Sequence, residues 1–407
     1  MNKLRSLLTF DDVNQPYDKL LLVIVLVLMC IGLVIVASAS IPEGIAISSD
    51  PFRFLKRQVI YVFICLFIMA AIVNVPFDFW YKRQALILTL SLTALLAVLL
   101  VGAEVNGSLR WLRLGPINVQ PSEFAKLAIV LFLASYLVRR QEEVVDTIKG
   151  FIKPLIILSL FSILLLLQPD LGSTVVIVVV MMGMLFIANA KLVNFIAIIV
   201  SLLAVIVALV VMSPYRMARV VGFLDPWADP FGRSYQLTQS LMAFGRGGWF
   251  GQGLGNSVQK LKYLPEAHTD FIMAILAEEL GFIGVSVVIT LEFILVYRAF
   301  SVGKKALALK TPLVFPGYVA IGIAIWFFFQ TAVNIGAASG IAPTKGLTLP
   351  LVSYGGSSLI SIAIAVALLL RIDFERRIAA SPIRLKKSAA KKKKSETPKD
   401  ARKDEKE

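Results

Sequence analysis

The sequence predicts an all-α, polytopic membrane protein of ten transmembrane helices, with both termini in the cytoplasm and one long extracytoplasmic loop at about 213–269. Composition is the first reason. Of 407 residues, 58% are hydrophobic and 16% charged, whereas a soluble domain carries about 45–50% apolar and about 25% charged residues. The second reason is grouping: the apolar residues form runs near 20–40, 59–75, 84–102, 123–138, 151–167, 173–189, 193–212, 271–297, 312–338 and 356–371, each able to cross most of a hydrocarbon core about 30 Å thick. The third is the placement of Lys and Arg, which sets orientation.

Taking the elements in order, the first run ends in Ala37-Ser38-Ala39, which imitates a signal-peptidase site. Leu20 to Val36 is longer than the usual h-region of about 7–15 residues, and Asp11, Asp12 and Asp18 precede it, so an uncleaved span is expected. Basic loops are retained in the cytoplasm. Segment 1–19 and the later loops of the same parity hold 14 Lys and Arg, and the short loops of the other face hold six: Arg53, Lys56, Arg57, Arg110, Arg113 and Lys345. Three regions follow: a cytoplasmic N-terminal segment at 1–19, a ten-helix membrane domain at 20–371 and a cytoplasmic basic tail at 372–407. The tail, with Lys386, Lys387 and Lys391 to Lys394, has few large apolar side chains and is expected to be disordered, held near anionic lipid.

The net charge is +15, but 14 of the basic residues lie between Arg371 and Lys406. The charge is thus a tail property and not a nucleic-acid reading face. Two cysteines, Cys30 and Cys65, and one histidine, His268, leave almost nothing from which to build a zinc site or a disulfide framework. The glycines of Gly251-Gln252-Gly253-Leu254-Gly255 follow no predicted strand, and no Walker A pattern occurs, so nucleotide chemistry is not expected.

The outer face carries the candidate chemistry. Segment 213–269 is rich in Gly and Pro and includes Tyr215, Phe223, Trp227, Phe231, Trp249 and Phe250; loops of this length are usually functional. Tyr235 to Phe244 is expected to form a short helix at the membrane interface. At its end, Glu266-Ala267-His268-Thr269-Asp270 precedes a long apolar helix. Asp270 there is either an N-cap or a general base, because a carboxylate serves both purposes, and His268 is expected to pack or hydrogen-bond. Glu278 lies about 12 Å farther along that helix and about 80° around it, too far for a tight acid pair with Asp270. Glu278 and Glu279 are therefore expected to pair with cations from other helices.

Three more clusters face the same side. Asn106-Gly107-Ser108-Leu109-Arg110-Trp111, with Arg113, offers guanidinium groups that match phosphate oxygens; Glu123 and Lys126, three apart, share one helix face. Gln168-Pro169-Asp170-Leu171-Gly172-Ser173 presents another acid, either in ordinary turn chemistry or as a substrate or metal ligand. Asn334 to Ser358, containing Lys345, Ser353 and Gly355, reads as a re-entrant or tightly folded loop whose backbone N–H groups suit a phosphate.

Taken together these segments, with Asp225-Pro226-Trp227 and Gln239-Ser240-Leu241-Met242-Ala243-Phe244-Gly245, resemble the SEDS family (shape, elongation, division and sporulation proteins), and its division branch more than its elongation branch. The resemblance spans about 15–375. It implies a ten-span peptidoglycan glycosyltransferase that polymerises lipid II into β-1,4-linked glycan at the outer face of the bacterial cytoplasmic membrane, at the division septum, releasing undecaprenyl diphosphate. Asp270 matches the family's catalytic aspartate. Arg110, Trp111, Arg113, Lys126, Asp170, Arg246, Glu266, His268, Lys345, Ser353 and Gly355 are the expected substrate-binding residues. A class B penicillin-binding protein and other division proteins are the implied partners. No cofactor is required by this reading; a divalent cation, Mg or Mn, with Asp170 as ligand, stays open. The competing readings are a lipid II flippase, an elongation-type polymerase and a division scaffold.

Overall fold

A computed structural model gives the fold and describes residues 17–105, 108–115, 117–212, 217, 221–232, 234–343 and 346–381. Helix starts follow local chemistry. α1 (Lys19–Ser48) begins where the Asp18 carboxylate accepts the Leu21 N–H at 3.2 Å. α2 (Arg53–Val73) follows a four-residue turn, and α3 (Phe77–Val101) starts after Pro76. α4 (Pro121–Asp146) carries proline at its first position, where the missing N–H costs nothing. The Thr147 hydroxyl caps α5 (Ile148–Leu167), and the Asp170 carboxylate caps α6 (Leu171–Ile187). α7 (Leu192–Val211), α8 (Tyr235–Gly247), α9 (Ile272–Leu307), α10 (Val314–Ala338) and α11 (Gly356–Ala380) complete the order.

Among the described residues, eight helices, α1 to α5 and α9 to α11, are long and apolar enough to cross a membrane. α6 is a shorter apolar helix of 17 residues, about 26 Å at 1.5 Å per residue, and α7 has 20 residues. α4, α10 and α11 form the centre, contributing fully buried Leu131, Leu133, Trp326, Phe327 and Leu368. α2 and α3 lie outside and turn Phe63, Phe67 and Leu100 outward. Such exposure suits acyl chains, which are as apolar as the side chains they meet. α9 packs chiefly on α10, α11 on α2, and α3 on α4. Salt bridges clasp one end of the bundle: Arg298 to Asp18 at 2.5 Å, and Arg371 to Glu375 at 2.8 Å, with Glu375 also accepting the Phe77 N–H at 3.0 Å. The opposite end, where α2, α4, α6, α9 and α11 begin, carries the candidate site.

Three features depart from expectation. The fold is not purely helical, because α3 and α4 are joined by an antiparallel meander, β1 (Ala103–Val105), β2 (Ser108–Leu114) and β3 (Ile117–Val119). Its strands are too short, and the turn before β3 too compact, for the alternation in Ser108–Leu114 to stand out from a loop. α1 continues beyond its apolar run, expected to end near 40, as far as Ser48, with Ser38 buried against other helices. α8 forms over the expected stretch, yet it packs along α9 and α10 instead of lying free at the interface, burying Leu237, Thr238, Ser240 and Ala243.

α9 itself is broken. Gly281 has φ 67° and ψ −167°, and the chain after α8 repairs the interrupted ladder. Gln252 and Gly253 donate their N–H groups to the carbonyls of Glu278 and Glu279 at 2.9 and 3.1 Å, while Phe282 and Ile283 donate to Gly248 and Trp249 at 2.9 and 3.2 Å. The approach requires glycine on both sides. A Cβ on Gly281 would lie 2.3 Å from the Gly251 nitrogen, and one on Gly247 would lie 2.0 Å from the Ala277 carbonyl oxygen. Two charge pairs lock the joint: Lys260 with Glu279 at 2.8 Å, bridged by the Ser38 hydroxyl, and Arg246 with Glu278 at 3.6 Å.

Candidate active site

The site assembles from three loops and the meander. In β2 the pleat sends residues three apart to opposite faces. Arg110 therefore turns inward: its Nε donates to the Gln168 carbonyl at 3.4 Å and a terminal nitrogen donates to the Pro169 carbonyl. Arg113 turns the other way and is exposed. Trp111 is half-buried opposite Ala103 in the β1–β2 ladder, a structural position. Gln168 is itself pinned by donating to the Leu95 carbonyl at 2.8 Å, so the loop that receives Arg110 is fixed to α3.

The segment between α10 and α11 is held by side chains from α10. Asn334 donates to the Leu347 carbonyl at 2.6 Å and to the Asp270 carbonyl at 2.9 Å, joining two loops through one amide. One turn earlier, Gln330 donates to the Thr348 carbonyl at 2.9 Å and accepts from Lys126 at 2.9 Å. Ser353 accepts the Leu349 N–H at 2.8 Å, closing a turn, and Tyr354 donates its N–H to the His268 carbonyl at 3.0 Å. These bonds bring Gly346 over the acid. A Cβ built on Gly346 would lie 3.2 Å from Asp270 Oδ2 and 3.8 Å from a terminal nitrogen of Arg110, so the carboxylate, the guanidinium and an exposed glycine share one small space.

Asp270 does not cap α9: the capping position is Phe271, with no side-chain bond to the helix. The turn before it is tight. Glu266 takes a left-handed φ of 56° and its carbonyl accepts the Thr269 and Phe271 N–H groups, each at 3.2 Å, while its carboxylate accepts the Thr269 hydroxyl at 2.7 Å. A non-glycine residue in that region costs of order 1–3 kcal/mol and is characteristic of functional turns. Asp270 remains half-buried with an outlet, but its carboxyl is walled in. Desolvation foremost, aided by the charges of Glu266 and Asp170 and opposed by Arg110, raises its pKa to about 7. Asp270 thus sits near the midpoint for proton exchange at neutral pH. Burial holds His268 below the ordinary imidazole value, against the pull of Glu266 and Glu43, so the ring is neutral at pH 7. It stacks on Phe54 at 4.6 Å and lies 5.5 Å from the Tyr354 ring, a packing role.

Of the other expected residues, Asp170 joins the site through its charge on Asp270, and its Oδ2 is buried with no hydrogen-bond partner although Oδ1 caps α6. Glu266 joins it as well. Lys126 is fully buried between Glu123 at 2.8 Å, Gln330 and the Trp326 ring, and Arg246 is drawn toward Glu278 at the α9 break. These two serve as partners of acids, as do the residues paired with Glu278 and Glu279. Gly355 is the uncapped start of α11. Lys345, Asn106, Gly107 and residues 382–407 of the basic tail lie outside the described residues, whereas residues 372–380, expected in a disordered tail, continue α11 and bury Ile372, Asp373 and Arg377. Among the described residues no group of three or more His, Cys, Asp or Glu is placed to hold a metal ion. Gln330, Gly346 and Lys260 were not singled out from the sequence. Gln330 and Asn334 had a readable signal, two amides four apart in an apolar helix and hence on one face, whereas Lys260 had none.

Fold and site define a polytopic membrane protein that presents a carboxyl of raised pKa beside a guanidinium at one end of its helix bundle. A family model described as "Cell cycle protein", that of FtsW, RodA and SpoVE, matches residues 18–378, and the chain belongs to this family. It is similar to the "Probable peptidoglycan glycosyltransferase FtsW" of Aeromonas salmonicida (strain A449), 58% identical over 370 residues covering 91% of this chain and 93% of the relative. The protein of the same name from Tolumonas auensis is 58% identical over 367 residues, covering 90% and 94%. Among solved structures, a chain described under "Structural coordination of polymerization and crosslinking by a peptidoglycan synthase complex" matches with TM-score 0.72 and 29% identity, covering 88% of this chain and 98% of that one. The rod shape determining protein RodA of Thermus thermophilus matches with TM-score 0.66 and 28% identity, covering 88% and 97%.

Proposed function

We propose that this chain is a peptidoglycan glycosyltransferase of the FtsW type, which polymerises lipid II into β-1,4-linked glycan at the outer face of the cytoplasmic membrane during septal wall synthesis. The observation that carries the proposal is the convergence of Asp270 and Arg110 over Gly346, 3.2 and 3.8 Å from the same point. On this reading α6 and α7 join the eight longer helices as spans, ten in all, and with the distribution of Lys and Arg this supports cytoplasmic termini and a site on the outer side.

The chemistry then follows from the groups present. A sugar hydroxyl is a weak nucleophile, and a carboxylate that removes its proton during attack contributes about 10²–10⁴-fold. Asp270 takes the proton of the acceptor 4-hydroxyl as that oxygen bonds to the donor's anomeric carbon. The bond from that carbon to undecaprenyl diphosphate breaks with its electron pair on the leaving phosphate, and configuration inverts. Arg110 lies beside Asp270 and neutralises the departing charge; preorganised cations of this kind act without reorganising water. The N–H groups at Gly355, on the loop that carries Gly346, offer further donors to the leaving diphosphate. Asp170 Oδ2, buried and unpartnered, and Asp270 offer two carboxylates to a Mg or Mn ion, which when bound would add positive charge at the diphosphate. The partners are a class B penicillin-binding protein, other division proteins and, for the basic tail, anionic lipid.

The test is strand synthesis from lipid II by the purified chain with its penicillin-binding partner. Wild-type protein makes glycan and Asp270→Asn loses at least about 100-fold. Equal yields from the two, or lipid II crossing into liposomes at a rate indifferent to position 270, would favour a flippase.

A further inference from the structure

Glu292 lies in the shaft of α9, beyond the break at Gly281, and is fully buried. The Thr331 hydroxyl of α10 lies 3.2 Å from its Oε2, whereas Oε1 is buried with no hydrogen-bond partner. The other buried glutamates each face a cation: Glu123 faces Lys126, Glu278 faces Arg246 and Glu279 faces Lys260. Among the described residues Glu292 has no such partner.

Nor does any neighbouring element offer one. α9 packs chiefly on α10, α8, α1 and α11. Arg298 pairs with Asp18 at 2.5 Å and Glu279 accepts the Ser38 hydroxyl at 2.6 Å, so α1 and α9 run antiparallel and Glu292 lies level with Ile24 and Val25, both buried. Leu20 to Ala37 of α1, all of α10 and Gly356 to Leu370 of α11 contain no charged residue. Cys30 of α1 is exposed, and Tyr318 of α10 is about 20 Å along the helix from Thr331. α8 brings Arg246, held at Glu278, and the charges of α11 begin with Arg371, held by Glu375. On α9 itself Tyr297 is exposed, Arg298 lies about 9 Å farther along the axis and is held by Asp18, and Lys304 and Lys305 are farther still.

An ionised Glu292 would leave one oxygen without donor or counter-charge in a seam with Val285, Val288 and Leu295, and a bare buried charge is far costlier than a neutral polar group. Hydroxyl oxygens accept as well as donate. A protonated Oε2 therefore donates to Thr331 Oγ1 over the same 3.2 Å, and Oε1 becomes a neutral carbonyl oxygen. One carboxyl and one hydroxyl are too few oxygens for a hard metal cation, which takes about six or more.

We infer that Glu292 is a proton-binding site inside the membrane, held as the neutral carboxylic acid, whose O–H positions α10 beneath Asp270 by donating to Thr331. Thr331 and Asn334 are three apart on α10, with Cβ atoms about 5–6 Å from each other, and Asn334 holds the Asp270 and Leu347 carbonyls at 2.9 and 2.6 Å. Glu292 is thus a positioning residue that acts through α10 and touches no substrate. Ionisable groups within spanning helices are costly and tend to be kept for function. The positioning role rests on the polymerase reading; the bound proton does not.

Infrared difference spectroscopy reads the proton directly. The full-length Asp270→Asn chain in detergent is compared at pH 7 with the same chain carrying Glu292→Gln. The added substitution should remove a protonated-carboxyl C=O band that shifts in D2O; removal of the paired bands of a carboxylate would overturn the inference. Turnover tests the positioning. In the otherwise wild-type chain Glu292→Gln, whose amide also donates to Thr331, keeps strand synthesis within about twofold. Glu292→Met, similar in length but without a donor, lowers the rate at saturating lipid II about 5- to 10-fold, the weight of one hydrogen bond, and leaves the half-saturating concentration unchanged. Both variants fold, because each replaces a neutral group by a neutral group. A Met variant as fast as the parent, a Gln variant as slow as Met, or failure of either to fold would overturn the role given to Glu292. Absence of strand synthesis by the wild-type chain would remove the polymerase reading and leave the infrared result standing.

Discussion

The proton affinity of Asp270 makes a direct demand on the rate. A base must be ionised to act, so turnover follows the ionised fraction. With a pKa of about 7, that fraction is about 10% at pH 6, about half at pH 7 and about 90% at pH 8, and the initial rate should rise nearly tenfold from pH 6 to pH 8 before levelling. An aspartate at its ordinary value near 3.9 would give a flat profile over this range. Neighbouring charge supplies an internal check. Glu266 raises the Asp270 pKa and Arg110 lowers it, so Glu266→Gln should move the inflection to lower pH and Arg110→Gln to higher pH. The assay is the initial rate of strand formation from saturating lipid II, with lipid II binding measured in parallel at each pH. A flat profile between pH 6 and 8 with unchanged binding would refute the assignment of Asp270 as a desolvated base, as would inflections that shift opposite to these signs.

Two further predictions concern the scaffold. Gly346→Ala puts a methyl group 3.2 Å from the Asp270 carboxylate and 3.8 Å from Arg110; strand synthesis should fall at least tenfold while the thermal unfolding midpoint stays within a degree or two, and full activity would show that substrate does not enter between these groups. Lys260→Met strands the buried Glu279 carboxylate, whose partner lies 2.8 Å away with side-chain exposures of 6% and 0%, and breaking such a pair costs about 3–5 kcal/mol. Denaturant-induced loss of structure in detergent should register that cost, and Lys260→Met combined with Glu279→Leu should recover most of it; no recovery would mean that the pair's geometry, not the uncompensated charge, sustains the joint.

Helix positions were legible in the sequence because ten apolar runs leave few alternatives: the apolar run at 312–338, for instance, is observed as the helix Val314–Ala338. The acid was legible for a different reason, since Asp270 shares one turn with Glu266 and His268, more polar groups than a helix start uses. What escaped was set by tertiary contact. Arg110 and Arg113 look alike in sequence, and only the pleat of β2 separates them. Lys126 and Arg246 looked available on the outer side, yet each faces an acid brought near by folding. Gly346 seemed one loop glycine among several until Asn334 fixed the loop over the carboxylate. Lys260 lies in a polar stretch, and its burial depends on Ser38, 222 residues earlier.

The interruption of α9 at Gly281 has a mechanical consequence. The outer stub from Ile272 to Leu280, which follows one residue after Asp270, and the shaft beyond Gly281 are both spliced by backbone bonds to the strap at 248–253, the stub through Gln252 and Gly253 and the shaft through Gly248 and Trp249. Force applied to that strap, where Trp249 and Phe250 stand out from the surface, is therefore shared between the shaft and the stub that leads to the acid. A neighbour pressing on those two aromatic rings would hold a lever on Asp270.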